Sequence, residues 1–123
     1  MDFDPILLEV LWSRLISIVN EQARALIRAS FTTIVRENED LCACLCDAKG
    51  DMIAQSVTGT PGHINSLATG VKHFLRRYPP EGLRPGDILI TNDPWMISGH
   101  KHDMTVLIPC FYKGNLVGFA GST

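Results

Sequence analysis

Residues 40–56 read DLCACLCDAKGDMIAQS. This stretch decides the fold, because here the apolar pattern takes on a period of two. Two short apolar runs flank AKGD, and Gly50 suits a tight turn, so the segment predicts a β-hairpin. Cys42, Cys44 and Cys46 stand at alternate positions and would share one face of the first strand. Neighbours two apart along a strand do not close a normal disulfide. Structural zinc motifs use C-x2-4-C spacing on a turn, not C-x-C-x-C along a strand. The three thiols are therefore expected to behave as small buried hydrophobes.

Upstream, the period is that of a helix. Asp4 before Pro5 is a capping side chain followed by a proline at the first helical position. Leu8, Leu11, Leu15, Ile18, Val19 and Ala23 then recur at three-and-four spacing, which predicts one long amphipathic helix over 5–29. Its apolar stripe is broad enough to need a substantial partner surface. Downstream, VTGTPGHI reads as loop, and NSLATGVKHFLRRY (65–78) as a second helix stopped by Pro79 and Pro80. EGLRPGD is a turn, ILIT (88–91) a short buried strand and NDPWMISGHK (92–101) a loop. MTVLIPCFY (104–112), the turn KGN and LVGFAGS (116–122) predict a second hairpin. The fold class expected is mixed α+β: a long N-terminal amphipathic helix, antiparallel β-hairpins and a second helix. The chain closes on GFAGST straight after a strand, an ending that a finished domain and an incomplete part of a larger one would share.

Bulk properties narrow the function. A chain of 123 residues, 46% hydrophobic and 20% charged, suits one compact domain of modest core. A net charge of -2 gives no electrostatic case for nucleic acid or an anionic membrane. The N-terminal stretch lacks a basic n-region and a small-residue cleavage site, so it does not read as a signal peptide. The longest apolar run falls far below the ~18 residues of a membrane span. A cytoplasmic location is expected.

The stretch with site chemistry is TNDPWMISGHKHDMTV, residues 91–106. Divalent metals take imidazole nitrogen or carboxylate oxygen held close together. Gly99 lets the backbone bend, and His100 and Asp103 lie three apart where loop becomes strand, so a turn can bring both onto one ion. His102 is the alternative partner for His100 if the stretch is already extended. The competing reading makes all of these polar residues at a loop end. Asn92, Asp93 and Pro94 are good turn formers. Trp95 is a core anchor or the wall of a ligand pocket. His63, in TPGHINS, either caps the second helix or reaches into a site.

In order and spacing, RENEDLCACLCDAKGDMIAQ, PGHINSL, LRPGDILITNDPW and GHKHDMTVLIPCFYKGNLVGFA together resemble the hydantoinase B/oxoprolinase family. The resemblance covers the chain from Asp4 onward and makes residues 1–123 the N-terminal fragment of a domain of this type. It implies a His-x-x-Asp metal pair at His100 and Asp103, for Mn, Zn or Fe. It gives no ligand role to His102, where the family usually carries a small or prolyl residue. Asp40 matches the aspartate opening the family's D-F-S-C-A-L-F-D stretch, and Asp40 or Asp93 is the carboxylate expected to ligate or act as base. His63 matches an H-x-x-S position and, with Trp95, is expected to line the substrate cavity. The family implies hydrolysis of a cyclic amide such as a hydantoin or 5-oxoproline, in a hetero-oligomer with a hydantoinase A-type subunit that uses ATP. This chain itself carries no G-x-x-x-x-G-K-[ST] loop. A subunit of an ATP-dependent ketone carboxylase is the alternative, and a non-catalytic docking module the third reading. Relatives carry a further histidine-rich segment beyond the position of Thr123, so the fragment alone is not expected to catalyse.

Overall fold

A computed structural model describes residues 4–123. The Asp4–Pro5 signal starts α1 (Pro5–Ala29), with the Asp4 side chain accepting a hydrogen bond from the Ile6 amide at 3.0 Å. A short helix not foreseen from the periodicity follows, α2 (Thr33–Asn38). At six residues it is too brief to show a period; the Thr32 hydroxyl caps it by accepting from the Val35 amide. Glu39, at φ 53°, ends it in the left-handed region and turns the chain towards the first strand.

The predicted hairpin is β1 (Ala43–Asp47) and β2 (Met52–Gln55). After a loop comes α3 (Pro61–Arg77), then β3 (Leu89–Thr91), β4 (Thr105–Tyr112) and β5 (Asn115–Ser122). The strands form one sheet in the order β2-β1-β5-β4-β3, every neighbouring pair antiparallel. Both hairpins form, and β5 joins them by pairing with β1 from Ala43↔Ser122 to Asp47↔Gly118.

Alternation along β1 sorts the two faces. Cys42, Cys44 and Cys46 are buried with Leu67, Val71 and Phe74 of α3, while Leu41 and Ala43 point the other way, onto Ala23 of α1. The molecule is thus helix, sheet, helix, with the larger core between the sheet and α3. Fully burying an apolar side chain such as Leu67, Phe74, Leu107 or Phe119 contributes roughly 1.5–3 kcal/mol. All four cysteines are free thiols. Burial pushes the Cys42 thiol up to about 11, and Cys44 is raised too, first by its contact with the Cys46 sulfur and then by burial.

Two expectations need correction. The second helix begins at Pro61 rather than Asn65, so GHI belongs to its first turn and not to a loop. Strand β3 is only half-buried: Leu89 packs against the core, while Ile90, and Ile88 just before the strand, are exposed at the sheet edge. The reason is coverage: α1 packs on β1 and β2 and leaves β3 bare on that side. Among the described residues, no helix is long and apolar enough to cross a membrane.

Candidate metal centre

Three segments meet at one end of the sheet: the start of β1, the start of α3 and the loop before β4. Asp40 sits directly after the left-handed turn at Glu39. Gly59 brings the second segment in, because its φ of 134° and its closeness to the Leu41 carbonyl leave no room for a side chain. The Thr60 amide then donates to that carbonyl at 3.0 Å. Thr60 is the residue before the first turn of α3, yet its side chain makes no cap bond to the helix. Its hydroxyl donates to Asp40 Oδ1 instead. The third segment is pinned by Ile97, whose side chain lies against Gly70 of α3 where a Cβ would collide with it. Gly99, at φ 82°, supplies the bend expected there and sets His100 and Asp103 facing the first two segments.

The side chains brought together are Asp40, His63, His100 and Asp103. His63 Nε2 is hydrogen-bonded to Asp40 Oδ1 at 3.1 Å. His63 Nδ1 faces Asp103 Oδ2 at 3.6 Å, and His100 Nε2 approaches the same oxygen at 3.1 Å. Neither approach completes a hydrogen bond, so Asp103 Oδ2 is buried without a partner. The Thr60 hydroxyl holds the Asp40 carboxyl below its ordinary range; partial burial opposes this and the neighbouring His63 assists it. An open groove of about 400 Å³ runs past Asp40, His102, Asp103 and Thr123.

Carboxylate and imidazole groups held this close are the kind of donors a divalent cation takes. The orphaned oxygen of Asp103 beside His100 Nε2 fits such an ion as two of its ligands. Among the described residues, no three His, Cys, Asp or Glu side chains gather into a group that could hold a metal by itself.

Comparison with known proteins sets this geometry in context. Residues 4–123 match the profile of the hydantoinase B/oxoprolinase family. The chain belongs to that family. It is 31% identical over 123 residues to a protein of Pseudomonas sp. (strain NS671) named as the B-type subunit of a D-/L-hydantoinase, covering 98% of this chain and 21% of that protein. It is 33% identical over 123 residues to 5-oxoprolinase of Saccharomyces cerevisiae, covering 99% of this chain and 9% of that one. Among solved structures, nucleotide-free acetone carboxylase superposes with a TM-score of 0.84 at 28% identity, over 97% of this chain and 16% of that one. The chain therefore spans about a fifth or less of the length of these relatives.

Within this hydantoinase B/oxoprolinase chain, two expected site residues lie elsewhere. The Asp93 carboxylate accepts from the Trp95 amide at 2.9 Å, an Asx turn that shapes the loop, and it lines a different recess with Arg77 and Tyr78. Trp95 is 92% exposed and stands clear of the groove beside Asp103. His102 stands at the groove, its ring 5.5 Å from that of His100, without approaching Asp103 Oδ2. The residue missed from sequence is Thr60. The signal was present, since Thr before Pro marks a helix start as Asp4–Pro5 did.

Proposed function

We propose that this chain is the metal-holding N-terminal part of a B-type subunit in an ATP-dependent amidohydrolase that opens a cyclic amide such as a hydantoin or 5-oxoproline. The observation that carries the reading is Asp103 Oδ2, buried, unpartnered and 3.1 Å from His100 Nε2. Leaving a buried polar atom unpaired costs about 1–3 kcal/mol, and more for a charged group. A divalent cation is the partner that removes the cost. His100 and Asp103 would hold it, with Mn, Zn and Fe all compatible with this donor pair. When bound, such an ion polarises a carbonyl or phosphoryl oxygen and acidifies water.

The remaining roles belong to the chain and its partners. An unstrained amide carbonyl is deactivated by nitrogen donation, and phosphorylating its oxygen with ATP makes it electrophilic. That step falls to a hydantoinase A-type subunit, a partner in keeping with the subunit naming of the Pseudomonas relative. Asp40, whose carboxyl Thr60 holds below its ordinary range at the edge of the groove, would accept a proton from attacking water, a role its hydrogen bond to Thr60 supports. Thr123 lines the same groove, so any ligand supplied from beyond it would enter beside Asp103. Four free thiols suit a reducing compartment, which supports the cytoplasm.

A second reading, a subunit of an ATP-dependent ketone carboxylase, is favoured by the superposition on acetone carboxylase. The same residues would then orient a ketone-derived nucleophile. Both readings are tested first by elemental analysis of the purified chain beside His100→Ala. A near-stoichiometric divalent metal that disappears in the variant is expected. Equal metal in both would remove His100 as a ligand, and none in either would show that these two donors do not hold an ion without further ligands.

A further inference from the structure

We infer that His63 is a positioning residue, a strut between two carboxylates that keeps Asp103 available for the cation. The inference rests on the metal reading above. Its basis is that the ring has a carboxylate oxygen at each nitrogen: Asp40 Oδ1 at 3.1 Å from Nε2 and Asp103 Oδ2 at 3.6 Å from Nδ1. The side chain is only 14% exposed, less than any other in the cluster. The ring is not among the side chains that line the groove beside Asp103, and its two carboxylate contacts are what it offers the site.

The strut is anchored at every joint. The His63 amide donates to the Thr60 carbonyl at 3.0 Å, and its own carbonyl accepts from the Ser66 hydroxyl at 3.0 Å. Thr60 in turn commits its hydroxyl to Asp40, which fixes the acceptor for Nε2. The ring thus stands on a helix, with its far end pinned before Asp103 is reached. At 3.6 Å the Nδ1 contact is too long for a hydrogen bond, so it steers the carboxylate without saturating it. His100 Nε2 is already the nearer nitrogen to Asp103 Oδ2, at 3.1 Å against 3.6 Å for His63 Nδ1, and without His63 the carboxylate would have no second ring to keep it from closing onto His100. With His63 present, Asp103 Oδ2 stands between two rings, neither of which completes a hydrogen bond to it, and both donors stay available.

Groups behind metal ligands typically change affinity by about ten- to a hundred-fold. Titration of the purified chain with Mn2+, following free Mn2+ by electron paramagnetic resonance, reads the effect. His63→Ala is expected to weaken binding by about ten- to a hundred-fold. His63→Asn, whose amide reaches the Nδ1 position, should recover part of the loss. His63→Gln, which reaches the Nε2 position and Asp40, should not. Affinity unchanged in His63→Ala overturns the assignment, as does a loss that follows the unfolding midpoints of the three variants with no difference between Asn and Gln.

A second measurement does not depend on metal uptake. In the metal-free chain, Asp103→Asn should shift the Nδ1 nitrogen resonance of His63, and Asp40→Asn the Nε2 resonance. Resonances indifferent to both changes overturn the strut whether or not the chain takes up Mn2+. Resonances that respond in a chain that binds no Mn2+ support the strut and overturn the metal reading alone.

Discussion

Thr60 shows how one hydroxyl serves the site at the expense of the helix it precedes. A threonine at this position normally accepts from an amide of the first turn, a bond worth about 1 kcal/mol. Here it donates to Asp40 and holds that carboxyl below its ordinary value of 3.8. A depressed folded-state pKa contributes stability that is present above the unfolded value and is lost as pH falls through the folded one. In Thr60→Val the Asp40 carboxyl is therefore expected to titrate at higher pH than in the wild type. The stability gap between the two chains should be widest above pH 3.8 and close on acidification. Carboxyl carbon shifts followed over about pH 2–6, a span that brackets ordinary carboxylate values, check the first point. An unmoved titration would take the role from Thr60. At this scale the sequence was informative where chemistry leaves few options. Alternating cysteines on a strand had to share a face, and they are buried together against α3. His100 and Asp103 came together because Gly99 permits the bend. Asp93 could not be sorted the same way, since an aspartate before proline serves turn and site alike until its hydrogen bonds are seen.

Between elements, the contact that decides the site is Ile97 against Gly70. It ties the loop bearing His100 and Asp103 to the middle of α3, the helix whose first turn carries His63. Two effects oppose each other in Gly70→Ala. Alanine raises helix propensity by about 0.8–1 kcal/mol, while a methyl forced into the Ile97 side chain costs about 1–3 kcal/mol. The clash is expected to win, leaving the chain less stable by about 1 kcal/mol. In an Ile97→Ala background the same change should cost nothing or stabilise, and urea unfolding of the double-mutant cycle reads the coupling. Additive effects would mean that the loop is not seated on Gly70. Nothing in the period of α3 announced this contact, because a glycine in a helix looks only like a weak position until its neighbour is known. The start of α3 was different: Thr60–Pro61 held the information, and the turn-forming composition of the preceding TGTPG outweighed it. Helix α2 left no trace, as six residues cannot display a period.

At the scale of the molecule, α1 is longer than anything it could cover. Its 25 residues extend about 38 Å at 1.5 Å per residue. The five strands span only about 20 Å across the sheet, and the longest strands of eight residues about 27 Å along it. No placement lets this sheet bury the whole apolar stripe, which is why only Val19 and Ala23 are buried while Leu8 and Leu11 remain 52% and 47% exposed. The breadth of the stripe was legible in the sequence; which half would be covered was not, since that depends on sheet dimensions set elsewhere in the chain. The consequence for stability is a division along the helix. Leu8→Gln and Leu11→Gln are each expected to stay within about 0.5 kcal/mol of the wild type. Leu67→Ala, in the core between α3 and the sheet, should cost about 2–5 kcal/mol. Urea unfolding at equal slope separates the two cases. If the glutamine changes cost as much as Leu67→Ala, the first half of α1 is buried in solution by something other than this sheet, and the helix-sheet-helix layering accounts for only part of the packed molecule.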